Sequence, residues 1–191
     1  MIVTVLIHET GHLFFGLLTG YRPVLYKILW FRIEAGDNGI RLRVKGIYPF
    51  GQCLMYPVKA DAFPVKMILG GPLFNLIFGL LFLALGMLTE GLIIKIIFLY
   101  NASFNIAIGI YNLLFGSVYS DGKALAEIKE EREAGVVYNN LLLIYRYLYI
   151  GKSYADMPVS LFILKEEHTG VIYEELKEHR HFKEIQMNKE R

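Results

Sequence analysis

The chain of 191 residues has a single cysteine, six prolines and few charged residues for its length. One cysteine, Cys53, excludes an internal disulfide and with it a small disulfide-bonded scaffold. Asp, Glu, Lys and Arg make up 20% of the sequence, below the roughly 25% of an average soluble protein. The net charge of +2 is too small to indicate a nucleic-acid partner.

The sequence is rich in hydrophobic residues, and many of them lie in long apolar stretches. Hydrophobic residues make up 54% of the chain, and the mean hydropathy is +0.40. Crossing a bilayer takes about 20 apolar residues, and three stretches qualify: residues 1–20, 67–88 and 92–116. We therefore predict a mainly α-helical, polytopic integral membrane protein with a core of three transmembrane helices.

The distribution of basic residues predicts the orientation of these spans. Loop 21–66 contains eight Lys and Arg residues, and the chain after residue 117 contains eleven more. The short loop between the second and third spans contains none. By the positive-inside rule, we expect loop 21–66 and the C-terminal tail on the cytoplasmic side of the plasma membrane.

Loop 21–66 has the pattern of a β-hairpin. Residues 40–45 alternate between apolar and basic, which is typical of a half-buried strand. A turn signal at residues 36–39 precedes them, and residues 24–33 are rich in aromatic and β-branched side chains. A separate short extended piece is expected at residues 50–55. The prediction is a small cytoplasmic hairpin inserted between the first two spans.

The remainder of the chain is charged and predicts a small helical tail. We divide the sequence into a core, residues 1–122, and a cytoplasmic tail, residues 123–191. Helices are expected in the tail at residues 124–135, 139–150, 160–167 and 173–183.

The first apolar stretch contains His8-Glu9-Thr10-Gly11-His12, an H-E-x-x-H motif. Residues four apart lie on one face of a helix, so both imidazoles can reach a single metal ion. Glu9 then lies where it can act as general base towards water activated by zinc. Such polar groups are costly in lipid. The alternative is that both histidines only bond to neighbouring groups inside a helix bundle.

Two histidines leave a catalytic zinc ion one protein ligand short. The metzincin extension is excluded, because Phe15 and Leu18 occupy the positions of its Gly and His. Glu34 lies at the predicted hairpin turn, and Asp121 lies in an Asp-Gly pair after the third span, where a simple turn is the ordinary interpretation. Three histidines of the tail are further candidates: His168, His179 and His181.

The H-E-x-x-H motif is the first of three sequence elements that follow one another in a recognisable order. After His8–His12 come Gly71-Pro72-Leu73-Phe74-Asn75, and then Asn112 followed by Asp121-Gly122. The first element matches the pattern H-E-x-G-H and the second matches G-P-x-x-N. The third approximates N-x-x-P…D-G, with Phe115 in place of the usual Pro. The chain thereby resembles the site-2 protease family of intramembrane zinc metalloproteases over residues 1–125, and the tail is not covered.

The resemblance implies roles for individual residues. Asp121 would be the third zinc ligand beside His8 and His12, and Glu9 the catalytic acid and base. Asn75 and Asn112 would lie near the metal and support the site. Gly51 and Gln52, with Cys53, fall where the family has a Gly-rich edge segment before the second core helix, and they would support the site or the substrate.

We therefore expect a zinc endopeptidase that cleaves membrane-embedded or membrane-associated peptides, including transmembrane proteins or short signalling peptides. The alternative is a non-proteolytic membrane module that binds a peptide or partner protein and holds a structural zinc ion. The spacing of Gly16 and Gly20 permits close helix contact, within one chain or between copies. A membrane partner or a homo-oligomer is thus a further expectation.

Overall fold

The computed structural model describes residues 1–36, 39–59, 61–114, 120–164 and 169–189, with side chains except at 36, 45–50 and 189. Within these ranges the chain forms helices around one long β-hairpin. The elements in chain order are α1 (Ile2–Leu18), β1 (Tyr21–Gly36), β2 (Gly39–Pro57), α2 (Val65–Leu88), α3 (Leu92–Leu114), α4 (Asp121–Glu130), α5 (Arg132–Tyr149) and α6 (Val171–Lys189). A 3-10 turn at Val159–Phe162 precedes α6.

Two helices, α2 and α3, are long and apolar enough to cross a membrane. Only 33% of the most apolar segment of α2 and 17% of that of α3 is buried. A core helix of a soluble protein would be mostly covered, so these outward faces suit contact with lipid. The predicted third span extends to residue 116, whereas α3 ends at Leu114, and residues 115–119, with Phe115, lie outside the described part of the chain.

The first predicted span is shorter than expected. Helix α1 has 17 residues, which correspond to roughly 26 Å, whereas the hydrocarbon core of a bilayer is about 30 Å thick. The helix ends where Gly20 adopts a left-handed conformation, with φ of 89°. The chain there reverses into β1, which runs back beside α1.

Helices α1, α2 and α3 pack closely through small and polar residues. Gly11 of α1 and Gly70 of α2 lie so close that a Cβ atom on either would overlap the backbone of the other. Asn105 of α3 is fully buried and donates hydrogen bonds to Thr4 Oγ1 at 3.4 Å and to the Asn101 carbonyl at 2.8 Å. These contacts fix the motif-bearing face of α1 against α2.

The β-hairpin is longer and more continuous than the sequence indicated. Strands β1 and β2 pair antiparallel from Tyr21 opposite Pro57 to Gly36 opposite Gly39, with irregularities near Leu29. The extended piece expected separately at residues 50–55 is part of β2. The turn residues 37 and 38 lie outside the described ranges.

The half-buried strand predicted at residues 40–45 is wrong over its described side chains. Ile40, Leu42 and Val44 are 78%, 63% and 68% exposed. The register places Leu42 opposite Ile33, and Arg43 opposite Arg32, so the apolar and basic side chains do lie on opposite faces. The alternation predicted the faces correctly, but no described part of the chain covers the apolar one.

The tail is continuous with the rest of the fold. Side chains of α5 and α6, such as Leu141 and Tyr173, share one buried cluster with Met55 of β2 and Ile68 of α2. The helix expected at 124–135 is divided at Glu131, whose extended backbone separates α4 from α5. The boundary proposed between residues 122 and 123 falls inside α4.

Two tail predictions differ in detail. The helix expected at 160–167 is only the 3-10 turn Val159–Phe162, and residues 165–168 lie outside the described ranges. The last predicted helix, at 173–183, is present and extends over all of α6.

Candidate metal centre

Three of the predicted ligands, His8, His12 and Asp121, converge on one point. His8 Nε2 lies 3.1 Å from His12 Nε2 and 3.1 Å from Asp121 Oδ2. His12 Nε2 lies 3.5 Å from the same carboxylate oxygen. These residues form a group that can hold a metal ion, with all candidate ligand atoms within 4.8 Å of one another.

The spacing and the donor types fit zinc. In a tetrahedral site with bonds of about 2.0–2.1 Å, two donor atoms lie roughly 3.3 Å apart. The three separations in this cluster bracket that value. Two imidazoles with one carboxylate are also a ligand set of catalytic zinc sites. Lone pairs gathered so closely need a cation or a proton between them.

A backbone carbonyl of α2 holds the second histidine in position. His12 Nδ1 lies 2.9 Å from the Met67 carbonyl oxygen. Because a carbonyl can only accept, Nδ1 carries the proton and Nε2 keeps the lone pair that a metal requires.

The first histidine contacts the amide of Asn75, which is fully buried. The Asn75 Nδ2 atom lies 3.1 Å from His8 Nδ1, and no described residue bonds Asn75 Oδ1. The two ends of an amide have nearly the same shape. With the amide rotated, Oδ1 accepts the His8 Nδ1 proton, which satisfies the buried oxygen and frees His8 Nε2 for a metal.

Gly71 allows the two rings to lie against α2. A Cβ atom there would come within 2.8 Å of the His8 ring and would overlap the His12 ring. Gly71 of the sequence element therefore allows α2 to pack closely on the histidines, one turn before Asn75.

Asp121 reaches the cluster because α4 starts at the end of α3. Ser120 caps α4 by accepting a hydrogen bond from the Lys123 amide at 3.3 Å. Gly122 lies against the carbonyl groups of Asn112 and Leu113, with no room for a side chain. Burial alone would raise the pKa of the Asp121 carboxyl, but the adjacent imidazoles outweigh it and hold that pKa well below its usual range.

Glu9 lies beside the ligands and against the hairpin. A Cβ atom at Gly51 would lie 2.6 Å from Glu9 Cγ, so only glycine allows β2 to approach this closely. Strand β2 therefore runs directly beside the catalytic candidate.

A cavity of about 870 Å³ encloses the site. His8, Glu9, His12 and Asp121 line it together with the edge segment 51–55. Helices α4, α5 and α6 contribute further lining side chains, including Tyr138 and Glu175. The volume lies in the range of natural ligand pockets and leaves room for a peptide segment.

The remaining sequence candidates differ in position. Gln52 and Asn112 line the cavity, but the Asn112 amide bonds the Ile108 carbonyl of its own helix at 3.1 Å. Glu34 lies in the hairpin and pairs with Arg32 and Arg43. His179 bonds the Tyr154 hydroxyl, and His181 also lies on α6, outside the metal group. His168 lies outside the described residues.

Sequence reasoning, which expected the tail to be a helical lid or docking element, assigned none of the lining residues of α5 and α6 and missed the Met67 carbonyl. The carbonyl leaves no side-chain signal. The cavity face of α5, however, repeats apolar and aromatic residues at helical spacing from Tyr138 to Tyr149, a pattern that would have identified it.

Comparison with protein-family models, with curated proteins and with solved structures finds no match to this chain. A functional assignment therefore depends on the geometry of the site.

Proposed function

We propose that the protein is an intramembrane zinc endopeptidase. The observation that carries this proposal is the joint placement of the His8, His12 and Asp121 ligand atoms and the Glu9 carboxylate in one cavity bordered by a strand edge.

The number of ligands supports catalysis over a structural role for zinc. A structural zinc site is closed by four protein ligands, whereas a catalytic site has three and keeps one position open. Among the described residues, the metal group contains three donors, and the cavity gives access to it. This favours the peptidase over the alternative of a binding module with a structural zinc ion.

The chemistry divides between the ion and the chain. A bound zinc ion supplies Lewis-acid activation of water and of the substrate carbonyl. Glu9 accepts a proton from the attacking water as the new C–O bond forms. Glu9 then returns that proton to the amide nitrogen as the C–N bond breaks, so one water molecule is consumed for each bond cleaved. Met67 and Asn75 hold the two imidazoles in place.

The strand edge of β2 suits an extended substrate. Among the described residues β2 pairs only with β1, and residues 51–55 of β2 line the cavity, so the other edge of β2 is available for pairing there. A peptide that adds to this edge as a strand would run past the metal. A helical transmembrane substrate must therefore unwind locally before cleavage.

The location of the site follows from α2 and α3. Both are long and apolar enough to span a membrane, and α1, with the His pair, packs against α2. The orientation of the chain in the membrane that we propose is the one indicated by the distribution of basic residues, with the tail on the cytoplasmic side. The substrate is then a peptide or a protein segment within or at the membrane.

Glu9→Gln is the decisive substitution. We expect it to lower zinc-dependent cleavage of a membrane peptide by reconstituted protein roughly 10²–10⁴-fold, with zinc content unchanged, because a general base is lost and no ligand is removed. Glu90→Gln, in the exposed α2–α3 loop, is the matched control and retains activity. Cleavage at the wild-type rate by the Glu9 variant would refute the proposal.

A further inference from the structure

One face of α5 forms a wall of the metal cavity. Tyr138, Leu141, Leu142, Tyr145 and Tyr149 all line it, with the spacing of a single helical face. This helix lies beyond the sequence elements that contain the metal ligands. The tail therefore contributes its own side chains to the cavity.

The three tyrosines of this face differ in their hydroxyl groups. Tyr145 donates a hydrogen bond to Glu175, and the Tyr149 hydroxyl accepts one from Arg32 at 3.0 Å. The Tyr138 hydroxyl has no hydrogen-bond partner among the described residues. Tyr138 therefore brings an unused donor to the cavity whose wall also includes His8, His12 and Asp121.

The next residue anchors this part of α5. Asn139 donates to the Ala62 carbonyl at 2.8 Å and accepts from the Tyr21 hydroxyl at 2.7 Å. Both ends of its amide are thus bound to the segments that flank the hairpin. This fixes the rotation of α5 and holds Tyr138 on the cavity side before substrate binds.

We propose that Tyr138 donates a hydrogen bond to the carbonyl oxygen of the scissile peptide and stabilises the negative charge that develops there. This inference rests on the proposed peptidase function. A phenol is a good donor at neutral pH, and a donor that meets a developing oxyanion acts mainly on the transition state. The hydroxyl would add to the Lewis-acid effect of zinc from the α5 face of the cavity.

Tyr138→Phe tests this in the full-length reconstituted protein. We expect kcat to fall roughly 10²-fold, the effect of removing one such donor, with KM and zinc content within about twofold of wild type. A tetrahedral phosphinic peptide should lose a comparable factor in affinity, whereas a simple hydroxamate chelator should not. Tyr147→Phe, on the same helix but away from the cavity lining, is the control with unchanged kinetics.

The outcomes separate the two proposals. If Glu9→Gln abolishes cleavage but Tyr138→Phe leaves kcat and phosphinic-peptide affinity at wild-type values, the role of Tyr138 is wrong and the peptidase assignment stands. An equal loss of hydroxamate and phosphinic-peptide affinity in Tyr138→Phe also overturns it, since that indicates a general distortion. A wild-type protein that shows neither zinc-dependent cleavage nor phosphinic-peptide binding overturns the function and this inference together.

Discussion

The two walls of the metal cavity are built in different ways. The wall of α1 and α2 brings both histidines from one helical turn and fixes them with the Met67 carbonyl and Asn75. The wall of α4, α5 and α6 brings one ligand, Asp121, on a helix held by its cap and by contacts within the tail. One wall is an apolar helix pair, and the other resembles the interior of a small soluble domain.

This difference shows which part of the centre is local and which depends on tertiary structure. The His pair is set by the 3.6-residue period of α1, so it exists wherever that helix forms. Asp121 meets the pair only if α4 turns back from the end of α3 and the tail packs on the hairpin. We therefore expect changes in the first wall to affect ligand geometry directly, and changes in the second to act through the tail.

Of the two substitutions that test this comparison of the walls, Asn75→Ala should have the larger effect on zinc affinity. The variant removes the amide that orients His8, and loss of such a partner typically weakens metal binding about 10–100-fold. Zinc affinity measured by competition with a chelator checks it. Asn112→Ala, whose amide bonds only Ile108 of its own helix, is expected to change zinc affinity by less than about twofold. Equal losses in the two variants would contradict the role of Asn75.

Glu127→Ala should have a smaller effect on zinc and a clear effect on the tail. The buried carboxylate accepts hydrogen bonds from the Val171 and Ile172 amides at 2.9 and 3.0 Å, and so joins α4 to the start of α6. We expect a loss of about 1–3 kcal/mol in the stability of the tail, because buried donors lose their acceptor. Zinc affinity should fall less than tenfold, since α4 also packs on α3 through Gly122.

Hydrogen exchange of α6 amides, followed together with zinc affinity, measures both effects. Glu130→Ala is the matched control, because Glu130 is exposed on the same helix and should leave both quantities unchanged. Faster exchange in the control than in Glu127→Ala would show that α4 and α6 are joined in some other way.

The sequence predicted the α1 side of the centre well, because a helical motif contains its own geometry. It also predicted the two long apolar helices and a hairpin between α1 and α2. The proximity of Asp121 to His8 and His12 was expected from the resemblance alone. No periodicity connects residues more than a hundred positions apart in the chain.

Other features could not be predicted from local pattern. The alternation of Ile40, Leu42 and Val44 indicates a strand with two faces, but whether a face is covered depends on the elements around it. The break at Glu131 separates two helix-prone stretches, at a residue whose carboxylate accepts a hydrogen bond from the distant Tyr173 of α6. The contribution of Tyr138 to the cavity also depends on the tertiary packing of α5 on the hairpin.

The identity of the third ligand is the central claim, and X-ray absorption of the zinc-loaded Asp121→Cys variant tests it most directly. A sulfur ligand lies about 2.3 Å from zinc, whereas nitrogen and oxygen ligands lie at about 2.0–2.2 Å, so the two shells are distinguishable. We predict only nitrogen and oxygen in the wild type and in Ala126→Cys, on the exposed face of α4, and one sulfur in Asp121→Cys. Zinc retained by Asp121→Cys with no sulfur shell would contradict the account.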